Sequence, residues 1–415
     1  MKKQVDIIII GSGMSGLYSA YQIKKYSPET KFLILEKYKK KWLGGRTNNE
    51  MFYGTRIVTG AGIGRKDTNP LLIQLLKELH ISYKQCKSIM EYAPTFSPID
   101  IEKVINKLKS VYKKYPQFHG DTFKEFTTKI LGEDIYNRFI MSAGYTDYED
   151  ADVYETLYNY GMDDNKGGWT GLFIPWKELV EHLYIKIGKQ HFKFSSDVIQ
   201  INKIQEKPCL FEVKTKEEDT YYANKVIIAT TISGIKELVP HAKEPNSLYQ
   251  QIHGQPFLRL YAKFDNFSTE IMKNAVKHYT IVPGPLQKII PMNSEKGVYM
   301  IAYSDNQNAL ALKENKENNP MNRSYFCRLI EKALGLPHGC LKIISLKDFY
   351  WPIGTHYFEP LKNISSRKEF LNIVQHPEKG MLVVGEAVST YQGWVEGALE
   401  SVKAVVTKDW VKKEC

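Results

Sequence analysis

Between Val5 and Glu36 the chain runs through an apolar segment, a glycine turn, a stretch of helical periodicity and a second apolar segment that ends in an acid. The turn reads Gly11-Ser12-Gly13-Met14-Ser15-Gly16, and Glu36 stands twenty residues after Gly16. Val5 to Ile10 reads as a buried strand by its apolar run, Met14 to Lys25 as a helix, and Lys31 to Glu36 as a second strand. That order demands a right-handed crossover and a parallel sheet. A GxGxxG pattern alone is weak, but one that follows a strand, opens a helix and is answered by an acid specifies a dinucleotide site. Gly11 permits the tight turn, Gly13 has no Cβ to hold a pyrophosphate off the backbone, and Gly16 lets helix and strand pack closely. Around them Ser12, Met14 and Ser15 stand at the positive end of the helix, where free N–H groups meet phosphate. Glu36 can accept both ribose hydroxyls, with Lys37 beside it.

A dinucleotide fold leaves FAD and NAD open. Gly44-Gly45-Arg46-Thr47 decides for FAD: it is a second glycine turn carrying a cation, placed to reach the pyrophosphate from the other side. Gly60-Ala61-Gly62-Ile63 follows, where small residues let the backbone press against a flavin ring. The C-terminal part carries Gly385-Glu386-Ala387 and then Gly393-Trp394-Val395-Glu396-Gly397-Ala398. In this order the motifs resemble the flavin-containing amine oxidase family, with its monoamine and polyamine oxidases, and the segment Trp351 to Tyr357 looks like that of its relatives in large DNA viruses. The resemblance covers nearly the whole chain and is weakest across 76–165 and 270–340.

The resemblance implies an α/β, Rossmann-like FAD-binding domain built from 1–75, 190–250 and 375–415. A substrate domain of α+β character, a mixed sheet plus helices, would be interleaved with it from 76–189 and 251–374. It implies oxidation of an amine C–N bond to an imine, with hydride transfer to flavin N5 and hydrogen peroxide release as molecular oxygen reoxidises the flavin. Val198 falls on the strand whose backbone reads the adenine. The segment Tyr222 to Thr230 resembles the family's return strand, with Thr231 where a proline is usual. Glu386 falls on the residue that contacts the ribityl or phosphate region. The helix that begins near Trp394, with Val395 and Ala398 in its first turn, aims its N–H groups at the N1 edge, where reduced flavin carries negative charge.

The family holds the amine between two aromatic walls standing over the ring. Trp394 takes one place. In Trp351-Pro352-Ile353-Gly354-Thr355-His356-Tyr357 the other wall, counted from Gly354, falls on His356, with Tyr357 next along. Covalent members carry the flavin on a cysteine where Thr355 stands, so non-covalent FAD is implied. The family's lysine, on a strand reading Lys-x-x-x-x-Phe, is replaced by Arg259 in Arg259-Leu260-Tyr261-Ala262-Lys263-Phe264. Arginine does not lose its proton, so Arg259 can hold water or a substrate carboxylate but cannot act as a base. That departure leaves open an FAD-binding protein with degenerate catalysis in a structural or packaged role. A flavin oxidoreductase acting on a non-amine substrate shares the same framework.

Bulk properties exclude other classes. With 57 Lys+Arg against 46 Asp+Glu the 415-residue chain is basic by +11, but its lysines are scattered and no aromatic-interleaved stripe marks a nucleic-acid site. The five cysteines, Cys86, Cys209, Cys327, Cys340 and Cys415, are odd in number and lack a CxxC pair. This argues against a disulfide framework or a metal site, and for a cytoplasmic or otherwise reducing compartment, virion association included. Met1-Lys2-Lys3 before Ile7 to Ile10 imitates a signal peptide, but the run is short and Asp6 interrupts it. No stretch is long enough for a membrane span. Asp147 to Asp152 reads as a solvated acidic loop, with steering of a polycation as the sharper reading. Oligomeric state is left open.

Overall fold

Four consecutive isoleucines, Ile7 to Ile10, are each at most 4% exposed. An unbroken apolar run of this kind suits a strand covered on both faces. Ile7 and Ile9 pack with Leu17, Leu183 and Val402, whereas Ile8 and Ile10 pack on the other side with Val213, Ile235 and Phe370. The computed structural model describes residues 3–160, 162 and 168–415; Met1 and Lys2, where the leader-like segment begins, lie outside them.

The strand Lys3–Ile10 lies between Phe32–Glu36 and Thr220–Ile228, parallel to both. Phe192–Phe194 extends this sheet beyond Phe32–Glu36, and Met381–Val383 pairs in parallel with the end of Thr220–Ile228. Val198–Glu206 and Cys209–Thr215 complete it as an antiparallel meander running into Thr220–Ile228. Three stretches far apart in sequence thus share one sheet. The ends of Lys3–Ile10 and Met381–Val383 deliver Gly11 and Gly385 to the same edge, where parallel α/β sheets bind ligands.

A second sheet has the order Ile343–Phe358, Ile252–Phe264, Val298–Asp305, Lys288–Asn293, Tyr279–Ile281 and Met90–Tyr92. Its two longest strands pair antiparallel from Ile252↔Phe358 to Phe264↔Ile343. Helices Ile101–Lys114 and Trp176–Ile187 each bury one apolar face, and Gly188, at φ +104°, ends the latter. Helix Glu133–Ala143 was not anticipated; it buries Tyr136, Phe139 and Ala143 while leaving Ile135 and Met141 exposed. No helix among the described residues is long and apolar enough to cross a membrane.

Cysteine parity misled. Cys209 and Cys415 form a disulfide, with Cα atoms 5.3 Å apart across a sequence separation of 206. Counting cannot see a pair that only the folded meander brings together. The terminal segment is held a second way. The buried Lys225 ammonium donates to the carbonyls of Trp410, Val411 (3.1 Å) and Lys413 (2.6 Å) at the end of helix Lys408–Lys412. Lys225→Met would leave those acceptors without their donor, at a cost of about 2 kcal/mol. Hydrogen exchange should then rise first across 408–413, with the parallel sheet unchanged. Equal loosening of both would show that the lysine does not act locally.

Candidate functional site

The two glycine turns meet at the sheet edge. Gly44 N–H donates to the Ser12 carbonyl at 3.0 Å, and Gly13 and Gly44 form a parallel bridge. Packing alone requires some of these glycines. A Cβ on Gly16 would stand 2.0 Å from the Gly11 carbonyl oxygen, one on Gly11 (φ +102°) 2.5 Å from that of Ala229, and one on Gly60 2.4 Å from that of Arg46. Gly13 is different. Its φ of −68° suits any residue, and a Cβ there would meet nothing within 4 Å. Gly62 faces open space in the same way, and Gly45 would meet only Gly13 Cα, at 3.8 Å. Glycine at Gly13 therefore preserves a hollow that a side chain would fill. Met14 and Ser15 lie buried at the start of the first helix.

Glu36 lies beside this hollow. Its Oε2 accepts from the Ser12 N–H and Oγ, each at 2.7 Å, and its Oε1 from the Tyr38 N–H at 2.9 Å. Ser196 N–H donates to the Glu36 carbonyl at 2.9 Å, setting Val198 just beyond. Lys37 is exposed and pairs with Asp197 at 3.1 Å.

Glu386 closes the site from the C-terminal side. Its Oε1 accepts from Arg46 Nη1 at 2.9 Å and from His356 Nδ1, and its Oε2 from the Gly393 N–H at 2.9 Å. Arg46 Nη1 also donates to the Gly354 carbonyl at 2.6 Å. Ile232 N–H donates to His356 Nε2 at 3.1 Å, which assigns the ring proton to Nδ1. Burial works against ionisation of Glu386, but His356, Arg46 and the Gly393 N–H overcome it and hold its pKa at about 2. Gly385, at φ +137°, is tied by its N–H to Ser401 Oγ at 2.9 Å.

This arrangement corrects the expected cage. Both ring nitrogens of His356 are engaged and the residue is 4% exposed, so it stands behind Glu386 and forms no wall. Tyr357 stacks on His253, with ring centroids 5.2 Å apart. Strand alternation sends neighbouring side chains to opposite faces, and counting from Gly354 could not tell which face was which. Trp394 is half-buried, N-caps helix Val395–Val405 and donates from Nε1 to Asn69 Oδ1 at 2.9 Å. Val395 and Ala398 are buried in that helix, and Glu396 accepts from the N–H groups of Leu71 (2.7 Å) and Leu72 (3.0 Å) at the start of helix Pro70–Glu78.

The loop from Thr59 to Ile63 is held by three long side chains. Trp351 Nε1 donates to the Thr59 carbonyl at 2.7 Å and Trp176 Nε1 to that of Gly62 at 2.8 Å. Arg259 donates from Nε (3.2 Å) and Nη2 (3.0 Å) to that of Gly60. Ala61 N–H donates to the Arg46 carbonyl at 2.9 Å. The acidic stretch is solvated only in part: Asp150 is exposed, whereas Asp147 and Asp152 are buried, 9% and 5% exposed. Sequence reasoning passed over Asn69, Trp176, Lys288 and Tyr303. Each is a single residue in a segment without a motif, so no sequence signal marked them. The hollow at Gly13 and Gly62, the anchored Glu36 and the Arg46 cation fit a dinucleotide flavin.

Comparison with known proteins agrees with this geometry. The family model described as flavin containing amine oxidoreductase matches residues 90–407, and that of an NAD(P)-binding Rossmann-like domain matches 9–79. An uncharacterised protein of Acanthamoeba polyphaga mimivirus is 20% identical, over 98% of this chain and 94% of its own. A putrescine oxidase structure with bound putrescine superposes with a TM-score of 0.75 at 13% identity, covering 98% of this chain and 99% of that one. Cyclohexylamine oxidase from Brevibacterium oxydans gives 0.73 at 14%, covering 97% and 98%. At such identities the structural likeness speaks for the fold.

The depressed pKa of Glu386 has a consequence for stability. A carboxylate held below its ordinary 4.5 contributes stability that is fully present above that value and is lost as pH falls toward 2. Glu386→Gln should cost about 3 kcal/mol in urea unfolding at neutral pH, the low end for a broken buried pair because Arg46 is partly solvated. The gap between wild type and variant should close as the pH is lowered toward 2. A gap constant with pH would show that the charge of Glu386 is not what stabilises the hub.

Proposed function

Because the chain belongs to the flavin containing amine oxidoreductase family, we propose that it holds FAD non-covalently and oxidises an amine at its C–N bond, with molecular oxygen as acceptor. The FAD-binding domain would be the three pieces 1–75, 190–250 and 375–415, and the substrate side 76–189 and 251–374. The observation that carries the reading is the Glu386 hub, which ties Arg46 to Gly393 beside a hollow that only glycine leaves open. The relatives named as putrescine oxidase and cyclohexylamine oxidase support an amine as substrate.

Bound there, the flavin would supply the two-electron acceptor, and its reoxidation would yield hydrogen peroxide. The chain's own residues position and tune. N–H groups of Gly13, Met14 and Ser15, at the positive end of the first helix, would face the pyrophosphate, and Arg46 would add its charge. Glu36 would trade its Ser12 contacts for ribose hydroxyls. The N-terminus of helix Val395–Val405 would stabilise negative charge on the ring. Trp394 would form one wall for the amine, and Trp351 and Trp176 would keep the ring-facing loop rigid. Arg259 braces Gly60 and stays protonated, so the amine must lose its proton without an arginine base. That observation also favours a second reading, FAD binding without amine turnover.

Two experiments test this. Gly13→Ala should fold like wild type, since its Cβ meets nothing, yet bind FAD about tenfold or more weakly. Gly16→Ala should instead fail to fold normally. Equal FAD affinity in Gly13→Ala would remove the hollow from the account. Separately, the FAD-loaded protein is mixed with an amine panel without oxygen. Bleaching of the flavin by one compound supports amine oxidation; a bound flavin that no amine bleaches supports the second reading.

A further inference from the structure

A groove of about 470 Å³ runs between helix Pro320–Leu334 and the start of strand Ile343–Phe358, the edge strand of the second sheet. No residue of the Glu386 hub or of the loop from Thr59 to Ile63 lines it. Three cations do: Arg323 and Arg328 on the helix, and Lys342 just before the strand. Among the described residues none of the three forms an ion pair with an acid. Arg323 Nη1 donates to Asn318 Oδ1 at 2.9 Å, and the Leu346 N–H donates to the same oxygen at 3.1 Å. That shared acceptor ties Arg323 to the strand.

The nearby acids are used within the fold. Glu331 is 2% exposed, and its Oε2 and Oε1 accept from the N–H groups of Gly339 and Leu341, each at 2.9 Å. His338 Nδ1 lies 3.4 Å from the same carboxylate. Asp265 feels the charge of Lys342 but caps helix Asn266–Ala275, accepting from the Ser268 N–H at 2.8 Å. The first turn of helix Pro320–Leu334 holds no acid, so Arg323 stands near the positive end of the helix dipole without compensation. The opposite wall is apolar: Leu341 and Ile343 are buried, and Ile344 is 41% exposed. Unpaired cations facing an apolar wall complement a ligand that is both acidic and apolar. A phosphate backbone would use the cations and leave that wall wet.

We propose that this groove binds an extended acidic peptide segment of a partner protein, with acids at alternate positions and apolar residues between them. The dimensions fit. From Pro320 to Glu331 the lining runs about 16 Å along the helix axis, the reach of about five extended residues. Arg323 and Arg328 are separated by about 7.5 Å along that axis. Acids at alternate positions of an extended chain stand about 6.7 Å apart on one face, and the side chains between them point the other way. Acids can thus meet the helix while apolar residues meet the wall at Ile344. Each arginine offers a carboxylate a charge-assisted, bidentate partner, and Lys342 adds a third charge to the attraction.

The probes are the end-blocked, fluorescently labelled peptide Asp-Val-Asp-Val-Asp-Val and its neutral counterpart with Asn for Asp. Each is titrated into the full-length protein and followed by fluorescence anisotropy. The acidic peptide should bind about tenfold or more tightly than the neutral one, an advantage that fades as salt is raised. Arg323→Gln with Arg328→Gln should remove that advantage. Ile344→Glu, on the exposed opposite wall and away from Asn318, should weaken the acidic peptide by about tenfold as well. Lys403→Gln with Lys408→Gln takes the same charge from exposed positions of other helices and should leave binding unchanged. Equal binding of the two peptides, or equal loss in the two double variants, overturns the groove. An unaffected Ile344→Glu overturns the apolar wall. A single-stranded oligonucleotide that outcompetes the acidic peptide, and loses affinity in the arginine variant, would make the partner a nucleic acid and overturn the peptide.

Discussion

Glu386 accepts hydrogen bonds from three segments: the Arg46 turn, 340 residues before it, the strand carrying His356, and the Gly393 turn. A buried carboxylate is costly unless every oxygen is satisfied, and here both are. The glycine turns, the ring-facing loop and the closing helix all take their places relative to this one group. Remove it, and Arg46 loses the partner that aims it across the hollow at Gly13.

The neighbouring loop follows the same logic with backbone carbonyls. Thr59, Gly60 and Gly62 each receive a donor from a long side chain, Trp351, Arg259 and Trp176. Small residues alone would let a loop approach a flat ring but would leave it slack. The donors hold it fixed, and Arg259 gives up two of its nitrogens to do so. An arginine in this place therefore acts as a brace, and the proton chemistry open to a lysine is closed to it.

Much of the fold was legible because its signals are local. Ile7 to Ile10, the GxGxxG turn and Glu36 lie within one βαβ unit, and helices such as Ile101–Lys114 carry their own periodicity. Helix Glu133–Ala143 escaped because the exposed Ile135 and Met141 blur the spacing of its buried face. In the site, residues defined by backbone chemistry, Gly13 and Gly62, could be read from motifs. Residues defined by orientation could not. His356 was matched by counting, but its burial and its bonds to Glu386 and Ile232 depend on how a sixteen-residue strand alternates against its partner. Lys288 and the Cys209–Cys415 pair depend on tertiary contacts that no spacing announces.

The central claim is that this chain encloses one FAD without a covalent bond. It is tested most directly by the visible spectrum of the protein after reconstitution with FAD and removal of the excess, followed by denaturation in acid. The account predicts one flavin per chain before denaturation and all of it in the supernatant afterwards. Flavin that stays with the pellet would contradict the role given to Thr355, and a protein that remains colourless would contradict the site itself.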